Sequence, residues 1–147
     1  MNQEIPVETL ITKALEMLHY AYVPYSRYTV GAALLTAEGD IYTGCNIENA
    51  AYGPSNCAER TAFFKAVSEG KKHFTAIAVV GGPNGTTNEY CTPCGVCRQV
   101  MVEFCKKDFA VIIAKSPSDY KIKTLEELLP DSFNPQDEIG ANAVAQQ

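Results

Sequence analysis

Cysteines are the side chains in this sequence best suited to chemistry. Three of the six fall within seven residues, "CTPCGVC" from Cys91 to Cys97, and a fourth, Cys57, stands in "NCAER" beside a carboxylate and a guanidinium. Such a set can be a metal site, a redox dithiol or a disulfide framework. The opening "MNQEIPVETL" lacks the basic stretch and apolar run of a secretory leader, so a cytoplasmic setting is expected and disulfides are not. Cys94 and Cys97 have the C-x-x-C spacing that places two thiolates on one turn, where they can clasp zinc. Alone, that spacing more often marks a structural zinc or a redox pair. Cys57 as a third ligand would leave one coordination position for water, which separates a catalytic zinc from a closed one. Glu59, two residues on, could then take a proton from that water and hand it to a leaving group. Three thiolates over-neutralise Zn²⁺ and should make it a poorer activator. Arg60, able to donate hydrogen bonds to sulfur, and the partial positive charge of helix N-termini offer compensation.

The elements around these residues can carry them to one place. Apolar residues from Val7 to Tyr22 recur at helical spacing behind Pro6, and "VPYSRY" breaks that helix. "TVGAALLT" and "IYTGCNI" flank "AEGD" as two strands of a hairpin. Cys57 to Ser68 reads as a second helix ended by Gly70, and "TAIAVVG" as a strand buried on both faces. The loop "GGPNGTTNEY" leads to a third helix, Cys94 to Lys106, followed by the buried strand "FAVIIAK" and a further strand in "YKIKTL". Thr124 and Glu127 form a capping box that opens a short helix, which Pro130 ends. Both cysteine groups therefore start helices that follow loops, on either side of one strand, so two helix N-termini can meet. Alternating helices and strands predict an α/β fold, a mixed sheet covered by helices on its faces. Residues 1–133 are expected to form a single catalytic domain, with 134–147 a mobile tail.

The bulk properties exclude some functions. A chain of 147 residues and 16.0 kDa suits one domain. No tract of about 18 apolar residues is present, so no membrane span is expected. A net charge of −5 with scattered Lys and Arg disfavours a nucleic-acid surface. A small neutral or cationic partner fits better.

"CAER" at Cys57 to Arg60 followed by "PCGVCRQV" at Pro93 to Val100 resembles the small cytidine deaminases, and the zinc-deaminase signature is itself a ligand-x-Glu followed by Pro-Cys-x-x-Cys. The similarity covers roughly Leu10 to Phe133, including "YVPYSRYTVGAALLT", "GCNIENAAY" and "LEELLPDSF". It implies a three-layer α/β/α fold around a mixed, roughly five-stranded sheet. It implies one Zn²⁺ per subunit on Cys57, Cys94 and Cys97, with Glu59 as proton shuttle in the hydrolysis of the 4-amino group of cytidine and 2′-deoxycytidine. Asn46 and Glu48 match the pair that holds the ribose hydroxyls, and the Ala58 backbone N–H would fix the pyrimidine carbonyl. Tyr28 stands where the family often has phenylalanine beside the nucleoside. Phe133 resembles an aromatic that covers the base in a neighbouring subunit, and such enzymes are usually homotetramers with shared sites.

Simpler readings stand beside these. Cys91 lies outside the ligand pattern and reads as a spare thiol, Cys45 and Cys105 as small buried hydrophobes. Asn46 and Glu48 could be strand-end turn residues, Tyr28 core, Phe133 a tail anchor. His19 and His73 are assigned to solvent or packing. Rival functions are a zinc-stabilised binding module with no chemistry, a dithiol oxidoreductase on Cys94 and Cys97, and a deaminase of another cytosine nucleoside of the blasticidin S type.

Overall fold

The computed structural model describes residues 4–135. In chain order the elements are α1 (Val7–Glu16), a 3₁₀ turn (Met17–Tyr20), β1 (Tyr28–Thr36), β2 (Ile41–Cys45), α2 (Ala58–Ser68), β3 (Phe74–Pro83), α3 (Gly95–Phe104), β4 (Ala110–Ser116), β5 (Asp119–Thr124) and the one-turn α4 (Leu125–Leu128). The strands form one sheet in the order β2-β1-β3-β4-β5. Only β3 and β4 are parallel, and α3 supplies the crossover that a parallel pair requires.

The period-2 alternation of strand side chains divides the core into two layers. Ala32 and Leu34 of β1, Ile77 and Val79 of β3, and Val111 and Ile113 of β4 face one side, where Phe63 of α2 and Met101 of α3 cover them. Their neighbours Ala33, Leu35, Ala78, Val80 and Ile112 face the other side and pack on Leu10, Ile11 and Ala14 of α1. Both faces of the central strands are thus dry, which is why they read as continuous apolar runs. The result is the expected three-layer α/β/α arrangement on a mixed five-stranded sheet. The proposed metal ligand Cys97 belongs to the first of these layers, so core packing fixes its position.

Two details depart from the periodicity. The first helix is shorter than its apolar spacing predicts: α1 stops at Glu16 and tightens to a 3₁₀ turn. Tyr22, counted in the helix from its spacing, instead bridges to Ile47, with Tyr22 N–H donating to the Asn46 carbonyl and Glu48 N–H to that of Tyr22. Long-range pairing overrides local spacing here. Similarly, α3 ends at Phe104, leaving Cys105 just beyond the helix, half-buried against the core. The capping box at α4 is present in full. Of the expected tail, residues 136–147 lie outside the described residues.

Helix α2 is seated on β2 by close backbone contact. A Cβ at Gly44 would lie 2.3 Å from the Ala58 carbonyl oxygen and 2.7 Å from the Ala62 nitrogen. Gly44→Ala is therefore expected to cost about 1–3 kcal/mol through overpacking, seen as a melting temperature lower by several degrees. The shift also displaces the N-terminus of α2, so zinc affinity should fall with it. A variant as stable as the parent would show that this approach is not tight.

Candidate active site and metal centre

The antiparallel register sets Tyr28 opposite Pro83 and Gly31 opposite Cys45. The start of β1 and the ends of β2 and β3 consequently share one end of the sheet. The chain leaves β2 there and enters α2 at Cys57. It leaves β3 there and enters α3 at Cys94. The site is built where these ends converge.

Local contacts hold the starts of both helices. The Thr61 hydroxyl donates to the carbonyls of Cys45 and Cys57, at 3.1 and 3.2 Å, and ties the first turn of α2 to the end of β2. The loop after β3 is pinned by the buried Thr29, whose hydroxyl donates to the Gly82 carbonyl and accepts from Gly85 N–H, each at 3.0 Å. Thr87 donates to the Lys115 carbonyl, and Arg98 Nε reaches back to the Pro93 carbonyl. These bonds give the 82–94 segment a definite course, so Cys94 arrives in register.

Cys57 is the N-cap residue of α2, Cys94 that of α3, and Cys97 lies in the first turn of α3. Their three Sγ atoms lie within 4.8 Å of one another, with Cys57 to Cys94 at 3.7 Å and Cys94 to Cys97 at 3.4 Å. Sulfurs about 2.3 Å from a tetrahedral zinc would stand about 3.8 Å apart, so the donor set fits that ion. Among the described residues no other His, Cys, Asp or Glu joins this group. All six cysteines are free thiols, so no disulfide competes.

Arg60 Nη2 donates to Cys57 Sγ at 3.3 Å. A hydrogen bond from the Cys97 thiol, assisted by Arg60, outweighs burial and draws Cys57 down to about 5; the same contact drives the Cys97 thiol upward. One thiolate is thus ready at neutral pH, with a cation against it. Arg60→Ala should weaken zinc binding by about 10–100-fold, as for other partners of metal ligands, and turnover should fall with it. Competition with a chromophoric chelator would measure the affinity. Equal affinities in parent and variant would remove this account of charge balance.

Glu59 follows Cys57 into α2 and is only 3% exposed. Its Oε1 has no hydrogen-bond partner. An unpartnered oxygen at that depth is costly, and here it lines a cavity of about 580 Å³ together with Cys57 and Cys94. Burial pushes the carboxyl up to about 7, and the charge of Cys57 acts in the same direction. A group in that range can accept a proton and return it.

The other expected residues line the same cavity: Tyr28, Asn46, Glu48 and Ala58. Asn46 is locked by β1, its Oδ1 accepting from Val30 N–H at 2.9 Å and its Nδ2 donating to the Tyr28 carbonyl at 2.8 Å. Glu48 Oε1 accepts from the Tyr25 and Ser26 amides, both at 3.1 Å. The Ser26 contacts hold its carboxyl below the usual range, so it stays an acceptor. Ala58, buried at the first position of α2, has an amide with no intrahelical acceptor. Phe133 is 66% exposed and does not line the chain's own cavity. His19 and His73 are exposed, as expected.

Sequence reasoning missed two residues. Cys91, set aside as a spare thiol, stands in the cavity wall, as does Tyr90 before it. Lys115 and Lys121 place their ammonium groups 4.5 and 4.8 Å from the Tyr90 ring centre, and the Tyr90 hydroxyl donates to Asp119. Adjacency to the ligand motif was the only local signal for Tyr90 and Cys91. Nothing in the sequence paired the two lysines.

Three clustered thiols that fit zinc, with a buried, unpartnered carboxyl in the same solvent-reached cavity, are the arrangement of a zinc hydrolase. The family described as the cytidine and deoxycytidylate deaminase zinc-binding region matches residues 5–113. The chain is 50% identical over 131 residues to a cytidine deaminase of Sporosarcina psychrophila, covering 89% of this chain and 93% of that one. It is 49% identical over 130 residues to a cytidine deaminase of Halalkalibacterium halodurans, covering 88% and 96%. A crystal structure of cytidine deaminase from Burkholderia pseudomallei superposes with a TM-score of 0.77 at 46% identity, over 85% of this chain and 97% of that one. The chain belongs to the cytidine and deoxycytidylate deaminase family, and zinc is its metal.

Proposed function

We propose that this protein hydrolyses the 4-amino group of cytidine and 2′-deoxycytidine, giving the uridine products and ammonia, in pyrimidine salvage. The observation that carries the reading is the unpartnered, buried Glu59 Oε1 in the same cavity as the three clustered thiols. A redox dithiol has no use for such a carboxyl, and neither has a structural zinc module.

Cys57, Cys94 and Cys97 would hold the ion, and Arg60 would balance their charge. Zinc, when bound, supplies Lewis-acid polarisation of water at the carbon under attack. Glu59 takes the proton that water loses, delivers it to ring N3, and later passes the remaining hydroxyl proton to the departing amine, so that ammonia leaves as the 4-carbonyl forms. The Ala58 amide meets the pyrimidine carbonyl, and Asn46 and Glu48 take the sugar hydroxyls. The cavity is wide enough for a nucleoside, and low-dielectric walls such as Val30 limit water around the base.

The domain spans 1–133 and works as a cytoplasmic homotetramer with shared sites. No helix among the described residues is long and apolar enough to cross a membrane. Exposed Tyr52 and Phe133, at 96% and 66%, are apolar surface suited to contact between copies. Phe133 would cover the base in a neighbour's cavity. Sedimentation or light scattering would test the tetramer, and a monomer at working concentration would remove it.

The decisive assay follows loss of cytosine absorbance on cytidine, deoxycytidine and their 5′-monophosphates, with and without a chelator. Turnover of the nucleosides, abolished by the chelator, is expected. Because Lys115 and Lys121 reach Tyr90 on the cavity wall, the monophosphates are a real comparison: faster turnover of these would move the substrate to nucleotides. A blasticidin S type substrate is checked in the same way.

A further inference from the structure

Tyr90 lines the cavity from the stretch that joins β3 to α3. Among the described residues, no backbone group from Asn88 to Thr92 hydrogen-bonds to the rest of the chain, so the polar fastening of this stretch falls to the Tyr90 side chain. Its hydroxyl donates to Asp119 Oδ1 at 2.5 Å, and the Lys115 and Lys121 ammonium groups stand 4.5 and 4.8 Å from its ring centre. None of these three partners lines the cavity; all belong to β4 and β5. A β-bulge gathers them. Ala114 pairs with Tyr120 but Ser116 with Asp119, so Lys115 is the extra residue, and a bulge re-aims side chains. Lys121 pairs with Ile113 and shares its face of the sheet, the one that α3 covers, and Asp119, two residues back, shares it too. Neither lysine is ion-paired among the described residues, which leaves the ring as the partner of both ammonium groups.

We propose that the bulged β4–β5 hairpin sets this wall of the cavity for the substrate: Tyr90 is a substrate-binding residue, and Asp119 is the positioning residue that acts through it. Attraction of a cation to a ring face fixes a distance but little of the ring's tilt. A hydrogen bond from the hydroxyl to a carboxylate is directional and stronger than a neutral one, so Asp119 supplies the orientation that the lysines do not. With its proton given to Asp119, the phenol brings the cavity ring contact rather than a donated hydrogen bond, which suits a flat, neutral nucleoside. The metal side is held separately, since Arg98 Nε bonds the Pro93 carbonyl and Cys97 is packed in the core. Loss of the Tyr90–Asp119 bond should therefore loosen substrate binding and leave the zinc site as it is.

The inference rests on the deaminase reading, and one set of measurements separates the two. For the parent, Tyr90→Phe, Asp119→Ala, Asp119→Asn and the Tyr90→Phe/Asp119→Ala double variant, KM and kcat for cytidine and zinc content would be determined. The rate at which a neutral alkylating reagent labels Cys91 in the zinc-loaded protein, followed by mass spectrometry, reports the wall without any turnover, because Cys91 is the next residue in it. Tyr90→Phe and Asp119→Ala should each raise KM about threefold to tenfold, with kcat and zinc content level, the pattern of lost uniform binding. Both should label Cys91 severalfold faster. The double variant should be no worse than either single one, since both remove the same bond. Asp119→Asn, whose amide oxygen still accepts from the phenol, should restore most of both effects. A merely structural Asp119 would lower zinc content and kcat together with binding, and that result overturns the proposal. So do KM and labelling rates unchanged in both single variants, or additive effects in the double variant, while the deaminase reading stands. A zinc-loaded parent with no turnover of any cytosine nucleoside overturns the deaminase reading instead, and the labelling rates still decide whether Asp119 holds the wall.

Discussion

Glu59→Gln is expected to lower kcat for cytidine by about 10²–10⁴-fold, the usual contribution of general acid–base catalysis, while zinc content remains that of the parent. Glutamine fills the same volume and can satisfy its surroundings, but it cannot take up and return a proton. The separation of the two readouts is the point of the experiment. The side chain is 3% exposed and belongs to the packed end of α2, so a truncation would mix lost chemistry with lost packing. The isosteric change isolates the chemistry. Burial raises the carboxyl, so the charged form is the one that folding disfavours. Removing the charge should hold stability level or raise it slightly, and a thermal melt would show this. Full activity in the variant would end the role given to Glu59.

Cys97→Ser should weaken zinc binding by more than the roughly 100-fold upper bound typical of outer partners, because a ligand itself is lost. After dialysis, zinc per chain should fall from about one to near zero and turnover should vanish. The site gives a reason to choose Cys97 over the two N-cap cysteines. It is 1% exposed and packed in the core layer beneath α2 and α3, so no neighbouring side chain can swing into its place. Cys94, by contrast, is exposed. The parent protein should melt higher with zinc than with chelator, as any ligand selective for the folded state requires, and Cys97→Ser should lose that difference. Zinc retained at one per chain would mean that another donor fills the corner, with Cys91 the first to examine.

Much of the architecture could be read from the sequence because its signals are local. The capping box at Thr124 and Glu127 needs only a three-residue spacing, and it is present in full. "FAVIIAK" is apolar at every position but its last, and the structure buries Val111 through Ala114 between two layers of helices. The ligand candidates were legible for a related reason: C-x-x-C fixes two sulfurs on one turn whatever the rest of the chain does. Periodicity failed where a distant partner competed. Tyr22 continues a helical spacing, yet its backbone is taken by Ile47 and its neighbours, and a 3₁₀ turn makes the adjustment.

By itself the sequence determined the chemical inventory: three soft ligands, a carboxyl two residues from one of them, a guanidinium beside it, and the strands and helices on which they ride. Tertiary structure decided which loops meet. Strand order and antiparallel register brought the start of β1 to the ends of β2 and β3, and so set Tyr28 and Cys91 in one cavity with Glu59. Residues so far apart in the chain come together only through pairing energies summed over the whole sheet, and a linear spacing contains no record of that sum.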